Sequence, residues 1–402
     1  MTVKIKPSSA NGRVEAPPSK SLAHRMLICA SLSDGESVIE NIGESDDVKA
    51  TVRCLKDMGA TIRVENGNAL VRGIKIGELN NKETLNCGDS GSTLRFLIPV
   101  LLASGREFRL ETGDSLSTRP LDVYENICRE KGMTFIREGK SLTVKGPLEC
   151  GEFSVPGNIS SQFISGLLMT LPLLSGDSTV RVTPPFESAF YTDMTVNVLS
   201  RFGAEIERNE NDFTVKGNVK YNPVFLRVKG DSSSAAYLEA FNTVGGRVKI
   251  TNPDNEYPQP DSVYPFLFDK VKNGNKTVDI SGCPDLGPIL FAVAALNKGG
   301  RFTGVTRLRI KESDRIKAMA DELAKVGVLL KADNGSAEVS SCRLHAPAEP
   351  FDGHNDHRIV MAAALICSVT GGEIRNAETV SKSFPDFFEK LTELGINTEI
   401  LT

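Results

Sequence analysis

The chain repeats one pattern of residues six times, and this repetition limits its possible folds more than any other feature. Each copy has small polar residues, about twelve mostly apolar residues, a glycine turn and often a short strand. Corresponding polar positions recur at about 70 residues, with one shorter step, at Ser21, Ser90, Ser161, Ser233, Asp285 and Asp356. This spacing indicates internal duplication, and six copies fit the 402 residues of the chain.

A second helix is predicted inside each copy. In the first copy, Val48, Val52 and Leu55 lie at helical spacing. Ser45 can cap the start of this helix, and Gly59 can end it. Similar segments followed by alternating strand residues return at 188–209 and 312–333. We therefore predict that each copy contains a strand, a helix, a strand, a helix and a strand pair.

The first helix of most copies is apolar nearly all round, as in FISGLLMTLPLL at 163–174. A helix of this kind is buried, and small repeated units must share cores with their neighbours. If the buried helices run side by side, their polar starts converge at one end of each domain. Free backbone N–H groups and positive dipole ends would then form an anion-binding site there.

Basic residues lie at or near these predicted helix starts, where acids or neutral caps are normally preferred. Arginine binds planar carboxylates and phosphates with two N–H groups, whereas lysine acts as a point charge. We therefore predict a site that holds a phosphate and a carboxylate together. The residues at these starts are Lys20, Arg25, Arg95 and Arg358, and further basic residues near the second helices or loops are Arg119, Lys311, Arg315 and Lys382.

Composition excludes several other classes of protein. A net charge of -4 and a pI near 5.8 provide no general attraction for nucleic acid or an anionic membrane. The eight cysteines are scattered singly, which argues against a zinc site or a disulfide framework and favours reduced thiols in the cytoplasm. No signal peptide or membrane-spanning apolar run is apparent. The segment GDSGS at 88–92 matches a serine-protease segment but opens an apolar helical run, and no P-loop motif is present.

Ordered segments along almost the whole chain resemble the 5-enolpyruvylshikimate-3-phosphate synthase family of enolpyruvyl transferases. The resemblance implies an α/β fold of two inside-out α/β barrel domains, each of three βαβαββ repeats around buried parallel helices. It implies an N-terminal domain at 16–225 and a C-terminal domain formed by 1–15 with 226–402. The matching segments are PPSKSLAHR, CGDSGSTLRF, TGDSLSTRPLD, ISSQFISGLLM, SAFYTDMT, GDSSSAA, DLGPILFAVAA, RIKESDRI, NDHRIVMA and VSKSFPDFF.

The same resemblance implies transfer of the enolpyruvyl group of phosphoenolpyruvate to the 5-hydroxyl of shikimate 3-phosphate, with release of phosphate. This step of the shikimate pathway leads to chorismate and the aromatic amino acids. The implied route is addition followed by elimination through a tetrahedral intermediate, with no metal or organic cofactor. The implied partners are the two small substrates, without nucleic acid or membrane, and the implied oligomeric state is a monomer.

Site residues are carried over from the family's motifs. Shikimate 3-phosphate would be bound by Lys20, Ser21, Arg25, Ser160, Ser161, Gln162, Tyr191, Asp285 and Lys311. Phosphoenolpyruvate would be bound by Lys20, Gly91, Arg119, Gln162, Arg315, Arg358 and Lys382.

Three residues are candidates for the proton transfers. Asp285 is the candidate base for the 5-hydroxyl, which loses a proton as it attacks. The enol methylene must gain a proton during addition and lose one during elimination. Glu312 and Lys20 are competing candidates for this step.

The four histidines receive different predictions. His357, beside Arg358 in NDHR, is predicted to hydrogen-bond near the substrate phosphate or carboxylate. His24, His345 and His354 are predicted to be structural polar residues.

Two alternatives compete with this assignment. The UDP-N-acetylglucosamine enolpyruvyl transferases share fold and chemistry, but they open with Lys-Asn where this chain has Lys20 and Ser21. They usually carry a cysteine where this chain has Asp114. A repeat scaffold that only binds anions is the other alternative, and such a scaffold would be expected to lose Asp285, Glu312 or Lys20.

Overall fold

A computed structural model describes residues 1–80, 84–187, 189–254, 256–257, 259–274 and 277–401. The chain divides into two compact units. The central unit is Pro18–Lys229, and the terminal unit combines Met1–Pro17 with Gly230–Thr402. That each unit corresponds to one domain, with the predicted boundaries at residues 16 and 225, stays a prediction.

Helices are numbered in chain order. Those of the central unit are α1 (Lys20–Ser31), α2 (Asp46–Asp57), α3 (Gly91–Ala103), α4 (Asp114–Ser117), α5 (Asp122–Glu130), α6 (Ser161–Thr170) and α7 (Ala189–Arg201). Those of the terminal unit are α8 (Ser232–Glu239), α9 (Tyr264–Lys272), α10 (Gly287–Leu296), α11 (Arg315–Ala324), α12 (His357–Thr370) and α13 (Phe387–Glu393). Short 3-10 helices occupy Ile76–Glu78, Leu171–Leu173, Ala240–Val244, Pro260–Val263, Pro284–Leu286, Thr306–Ile310 and Ala377–Lys382.

Strands are numbered in the same way. Those of the central unit are β3 (Glu36–Glu40), β4 (Thr61–Glu65), β5 (Asn68–Arg72), β6 (Leu85–Asn86), β7 (Glu107–Glu111), β8 (Thr134–Glu138), β9 (Ser141–Lys145), β10 (Glu152–Pro156), β11 (Ser178–Thr183), β12 (Ile206–Asn209), β13 (Asp212–Val215) and β14 (Phe225–Arg227). Those of the terminal unit are β1 (Thr2–Lys6), β2 (Asn11–Val14), β15 (Arg247–Ile250), β16 (Thr277–Asp279), β17 (Gly300–Thr303), β18 (Leu330–Ala332), β19 (Ser336–Val339), β20 (Phe351–Asp352), β21 (Gly372–Arg375) and β22 (Asn397–Ile400).

The predicted buried helices form the core of each unit. In α10, every residue from Gly287 to Ala295 is buried, as its continuous apolar sequence requires. In the central unit α3 packs against α6, and in the terminal unit α10 packs against α12. Full burial of a Leu, Ile or Phe side chain contributes about 1.5–3 kcal/mol, so these helices hold each unit together.

The second helix of the first copy follows its predicted boundaries. The Ser45 hydroxyl accepts a hydrogen bond from the Val48 N–H at 3.4 Å, and α2 begins directly after this cap. Gly59 follows the helix with φ 111°, a conformation that residues with a side chain rarely adopt. The polar cap and the glycine therefore set both ends of α2.

The three sheets of the central unit have one common strand order: β14-β3-β5-β4, β6-β7-β9-β8 and β10-β11-β13-β12. In each sheet the first two strands are parallel and the other neighbours are antiparallel. The terminal unit repeats this order in β16-β17-β19-β18 and β20-β21-β1-β22. The six units of α/β structure predicted from the repeat are confirmed, although among the described residues the sheets remain separate and close no continuous barrel.

Two strands are exchanged where the chain passes between the units. Strand β2 precedes α1 in the chain but pairs with β15, and β14 precedes α8 but pairs with β3. In the fourth copy the described residues form only the two-stranded sheet β15-β2, because the next described strand after α9, β16, pairs with β17 of the fifth copy. The predicted strand pair is wrong for this copy. Strand β1 fills the third position of the last sheet, so the N-terminal residues complete the C-terminal copy.

No helix within the described ranges combines the length and apolar character needed to cross a membrane. All eight cysteines are free thiols.

Candidate active site

The buried helices of the central unit begin at serine caps. The Ser90 hydroxyl accepts from the Thr93 N–H at 3.2 Å at the start of α3. The Ser160 hydroxyl accepts from the Gln162 N–H at 3.3 Å at the start of α6. Serine satisfies one N–H of the first turn without adding a charge, so the positive end of each helix dipole is not neutralised.

Arg95 orients the side chain of Gln162. Its Nη1 donates to Gln162 Oε1 at 2.7 Å, and its Nη2 donates to the Pro120 carbonyl at 2.9 Å. The Gln162 amide donates in turn to the Ser92 hydroxyl at 2.9 Å. The repeat predicted Arg95 as a cation of the anion site, which stays a prediction, and the two contacts show in addition that it orients Gln162. The sequence could not reveal it, because Gln162 is 67 residues away.

Gly91 provides room for Arg119. A side-chain carbon on Gly91 would lie 2.7 Å from Arg119 Nη1, closer than carbon and nitrogen can approach without movement. Arg119 is buried, and the Asp89 carboxylate accepts from the Leu116 N–H at 3.2 Å. This contact ties the glycine loop to the segment that leads to Arg119. Glycine at position 91 therefore allows the guanidinium to lie against the backbone at the start of α3.

Arg25 is extensively bonded inside the central unit. Its Nε donates to the Thr195 hydroxyl and its Nη1 to the Ser21 carbonyl, both at 2.7 Å. Its Nη2 donates to the Tyr191 carbonyl at 3.1 Å and the Ser165 hydroxyl at 3.3 Å. Burial lowers the pKa of Arg25 to about 10, so the group remains charged at neutral pH. With these bonds made among the described residues, one N–H of Nη1 is left for a ligand.

Lys20 is paired with a carboxylate of the same unit. Its Nζ lies 2.8 Å from Asp47 Oδ2, and both side chains are largely buried. Lys20 is the first residue of α1, and Asp47 lies in the first turn of α2, so the pair joins two helix starts. Ser21 follows on α1, and Ser161 is the buried first residue of α6. Lys20, Ser21 and Ser161 therefore lie at helix starts.

Arg315 is the centre of a carboxylate cluster in the terminal unit. Its Nε donates to Asp356 at 2.8 Å, its Nη1 to Asp285 at 2.9 Å and its Nη2 to Glu312 at 2.7 Å. Arg315 is the first residue of α11 and is only 1% exposed. Asp356 caps α12 and also accepts from the Ser313 hydroxyl at 3.0 Å. One guanidinium therefore holds three carboxylates in fixed positions.

The cations around Asp285 keep its carboxyl group ionised. Burial alone would raise the pKa of Asp285, but Lys311, Arg315 and Arg358 outweigh it and hold the pKa well below its ordinary value. Lys311 Nζ lies 3.3 Å from Asp285 Oδ1, and Arg358 Nη2 lies 3.8 Å from Oδ2. Burial also lowers the pKa of Lys311. Asp285 is therefore a carboxylate whose basicity depends on its neighbouring cations.

Arg358 presents unsatisfied donors to the same region. Its side chain is buried, and its guanidinium carbon lies 5.1 Å over the Tyr237 ring. Among the described residues, Nε and Nη1 of Arg358 have no hydrogen-bond partner. A buried charged donor without an acceptor is costly, so these two nitrogens, which carry three N–H groups, are suited to bind an anionic ligand. Tyr237 is itself fixed by a hydrogen bond to the Asp285 carbonyl at 3.1 Å.

The two remaining predicted residues lie around the start of α12. Lys382 Nζ donates to the carbonyl of Asn355 at 2.8 Å and to its side-chain oxygen at 2.9 Å. His357 is buried, with Nδ1 3.9 Å from Asp356 Oδ1. The structure therefore joins Asp285, Lys311, Glu312, Arg315 and Arg358 in one cluster, with His357 beside its Asp356 member.

Sequence reasoning missed two buried carboxylates that interact with Arg315 or Asp285. Asp356 was identified only as one of the repeated polar positions, although its correspondence with Asp285 in the repeat could have indicated a role in the site. Asp261 was not noticed, because nothing local marks it. It accepts a hydrogen bond from the Ser233 hydroxyl, and burial together with the charge of Asp285 raises the pKa of Asp261 to about 7.

Comparison with known proteins places this arrangement in a family. The family model described as EPSP synthase (3-phosphoshikimate 1-carboxyvinyltransferase) matches residues 5–273 and 262–391. The 3-phosphoshikimate 1-carboxyvinyltransferase of Clostridium acetobutylicum is 42% identical over 98% of this chain and 97% of its own length. The enzyme of the same name from Clostridium novyi is 40% identical over the same shares.

A solved structure supports the fold independently. EPSP synthase from Acinetobacter baumannii superposes with a TM-score of 0.80 and covers 99% of both chains, at 23% sequence identity. Because the family model and the relatives span nearly the whole chain, the protein belongs to the EPSP synthase family.

Proposed function

We propose that this chain carries out the reaction of its family through the residues described above. The reaction transfers the enolpyruvyl group of phosphoenolpyruvate to shikimate 3-phosphate in aromatic biosynthesis. The observation that carries the chemical assignment is the Arg315 cluster, in which an ionised Asp285 lies among three cations. Such a cluster combines a proton acceptor with groups that attract anionic substrates.

Asp285 is proposed as the base for the 5-hydroxyl. As this oxygen forms a bond to C2 of phosphoenolpyruvate, its proton passes to the Asp285 carboxylate. The low pKa of Asp285 in the free protein makes it a weak base. Anionic substrates bound to Lys311, Arg315 and Arg358 would offset the charges that lower this pKa, and would thereby strengthen the base. Substrate binding and base strength are thus coupled in this proposal.

The second proton transfer takes place at C3 of phosphoenolpyruvate. C3 gains a proton during addition, and the tetrahedral intermediate then loses phosphate from C2 and a proton from C3. Glu312 and Lys20 both remain proposed for this role. Glu312 is bonded to Arg315, and Lys20 is paired with Asp47. Lys20 is also proposed to accompany the leaving phosphate as a counter-charge.

The binding groups are proposed separately for each substrate. For phosphoenolpyruvate, the partnerless N–H groups of Arg358 support anion binding, as does the space that Gly91 leaves beside Arg119. Lys382 and the oriented amide of Gln162 complete the set together with Lys20 and Arg315. For shikimate 3-phosphate, uncharged helix starts support phosphate binding. The residues proposed for this substrate are Lys20, Ser21, Arg25, Ser160, Ser161, Gln162, Tyr191, Asp285 and Lys311.

Phosphate release provides the test. The protein is incubated with phosphoenolpyruvate and either shikimate 3-phosphate or UDP-N-acetylglucosamine as acceptor. We expect phosphate only with shikimate 3-phosphate, and Asp285→Asn should lower kcat by about 10²- to 10⁴-fold because the base is lost. Asp177→Asn is the matched control, since Asp177 is an exposed carboxylate paired with Lys216. Release only with the nucleotide sugar would transfer the assignment to the rival enolpyruvyl transferases, and no release with either acceptor would favour an anion-binding scaffold.

Location and assembly belong to the same proposal. Eight free thiols support a reducing compartment, and we propose the cytoplasm. We also propose a monomer, for which light scattering should give a mass near 43.5 kDa. A mass of twice that value would overturn the monomer without affecting the reaction.

A further inference from the structure

The turn that precedes α12 has a constrained backbone. His354 and Asn355 adopt φ angles of 49° and 53°, in the left-handed region that residues with a side chain rarely enter. Gly353 precedes them, and a side-chain carbon there would lie 2.6 Å from Val360 and 2.9 Å from the Asn376 carbonyl. Two consecutive left-handed residues of this kind persist only where surrounding contacts hold them.

Lys382 is attached to this turn. Both oxygens of Asn355, the backbone carbonyl at 2.8 Å and the side-chain oxygen at 2.9 Å, accept from the Lys382 ammonium. The direction of the Asn355 carbonyl depends directly on the left-handed backbone. The position of the ammonium therefore depends on the conformation of the turn.

A buried carboxylate holds the turn from the other side. Glu322 on α11 is 2% exposed and accepts from His354 Nε2 at 2.7 Å, Lys325 Nζ at 2.9 Å and the Asp352 N–H at 2.9 Å. The Asp352 carboxylate accepts from the His354 N–H at 2.6 Å and from Asn376 at 3.1 Å. Both the ring and the backbone of His354 are thereby fixed.

The charges support the same contact. The hydrogen bond to Glu322 raises the pKa of His354, with further contributions from the nearby Asp352 and Asp321, although burial opposes them. A protonated ring donates to Glu322 more strongly than a neutral one. The pair lies at one end of a continuous chain of contacts that runs from Glu322 through His354 and Asn355 to Lys382.

We propose that Glu322 and His354 are positioning residues for phosphoenolpyruvate binding, because they fix the Asn355 turn and through it the ammonium of Lys382. The inference rests on the proposed function, in which Lys382 binds phosphoenolpyruvate. It gives a role in substrate binding to a histidine that the sequence marked only as structural. Neither residue needs to touch the substrate for this role.

Steady-state kinetics of phosphate release test the inference. His354→Ala should raise KM for phosphoenolpyruvate about tenfold, while kcat and KM for shikimate 3-phosphate change less than twofold. His354→Gln keeps an N–H near the position of Nε2 and should recover most of the loss. Glu322→Gln should act in the same direction as His354→Ala. His345→Gln is the matched control, because His345 is an exposed histidine of the same unit whose Nδ1 contacts only the backbone of Ala346 among the described residues.

A double-mutant cycle separates this role from general support of the fold. In a Lys382→Met background, His354→Ala should have no further effect on KM for phosphoenolpyruvate, because the group through which it acts is gone. Additive effects of the two substitutions, or an equal rise in KM for both substrates, would overturn the inference. If His354→Ala does not fold, as judged by circular dichroism, the same cycle with Glu322→Gln in place of His354→Ala decides it.

The activity of the wild-type protein distinguishes a failure of the proposed function from a failure of the positioning role inferred for Glu322 and His354. Absence of phosphate release from phosphoenolpyruvate and shikimate 3-phosphate would overturn the proposed function, and this inference with it. An active wild type whose KM for phosphoenolpyruvate is unchanged by His354→Ala and Glu322→Gln would overturn only the inference.

Discussion

The two units use the same repeat but treat the starts of their buried helices differently. In the central unit the caps of α3 and α6 are Ser90 and Ser160, which are uncharged. In the terminal unit the caps of α8 and α12 are Asp231 and Asp356, and α10 follows a 3-10 turn that contains Asp285. Cap residues of both kinds satisfy the first turn equally well, but only aspartate brings a charge.

The surroundings of the buried arginines differ in the same direction. Arg25 of the central unit is bonded to hydroxyl and carbonyl oxygens, which leave its charge uncompensated by these partners. Arg315 of the terminal unit is bonded to three carboxylates. One duplicated scaffold can therefore surround a buried arginine with neutral oxygens or with carboxylates.

The largest expected difference between the units is in the stability lost when the buried arginine of each unit is replaced. Arg315→Met leaves the fully buried Asp356 without its main counter-charge, so the free energy of unfolding should fall by about 3–5 kcal/mol. Arg25→Met leaves only neutral acceptors unpaired, and the loss should be about 1–3 kcal/mol. Urea denaturation followed by circular dichroism measures both. Equal losses would show that the charge of the partners has no influence.

A cap exchange is expected to have an intermediate effect. Ser160→Asp retains a good helix cap but brings the charge of the terminal-unit caps into the central unit. Repulsion of an anionic substrate should raise KM for shikimate 3-phosphate by about 10- to 100-fold. Ser160→Asn is the matched neutral control, since asparagine caps helices without a charge. If the aspartate and asparagine variants had the same KM, phosphate binding near Ser160 would have to be abandoned.

The smallest expected effect is an opposite pH dependence of stability at two histidines. In the central unit, burial first and then the charges of Lys20 and Arg25 lower the pKa of His24 well below 6.5. The unfolded chain therefore binds the proton more readily, and stability should fall as pH falls below the ordinary histidine pKa.

In the terminal unit the pKa of His354 is raised, mainly by Glu322. Its contribution to stability is complete below the ordinary histidine pKa and is lost as pH rises through the raised value. Urea midpoints between pH 5 and 9 should therefore become less pH-dependent at the acid side in His24→Gln and at the neutral to alkaline side in His354→Gln. If both substitutions reduced the pH dependence of the urea midpoint on the same side of the ordinary histidine pKa, the opposite pKa directions of His24 and His354 would be contradicted.

Local patterns predicted much of this molecule. The apolar run that became α10, the Ser45 cap and the Gly59 end of α2 all depend on residues close together in the chain, and each is confirmed. The membership of Asp285, Lys311, Glu312 and Arg315 in one cluster could also be predicted from the sequence. Three of its members lie within five residues of one another, and the repeat together with the family motifs supplied the fourth.

Contacts between residues far apart in the chain were not predicted, because the patterns that predict local structure span only a few neighbouring residues. Arg95 and Gln162 are 67 residues apart, and Glu322 and His354 are 32 residues apart. Neither pair has a local pattern that marks its members as partners. The pairing of β14 with β3 was not predicted for the same reason, since β14 resembles locally the opening strand of the next copy.

The sequence by itself therefore determined the six repeats, the buried helices and the residue types at their polar starts, because periodicity and capping act over a few neighbouring residues. Only the tertiary structure decided which cation meets which carboxylate. It surrounded Arg315 with three acids and Arg25 with neutral oxygens, and it left two nitrogens of Arg358 without a partner among the described residues. Pairing of this kind is decided by the packing of helices and loops distant in the chain, and electrostatic energy depends on those final distances and on burial.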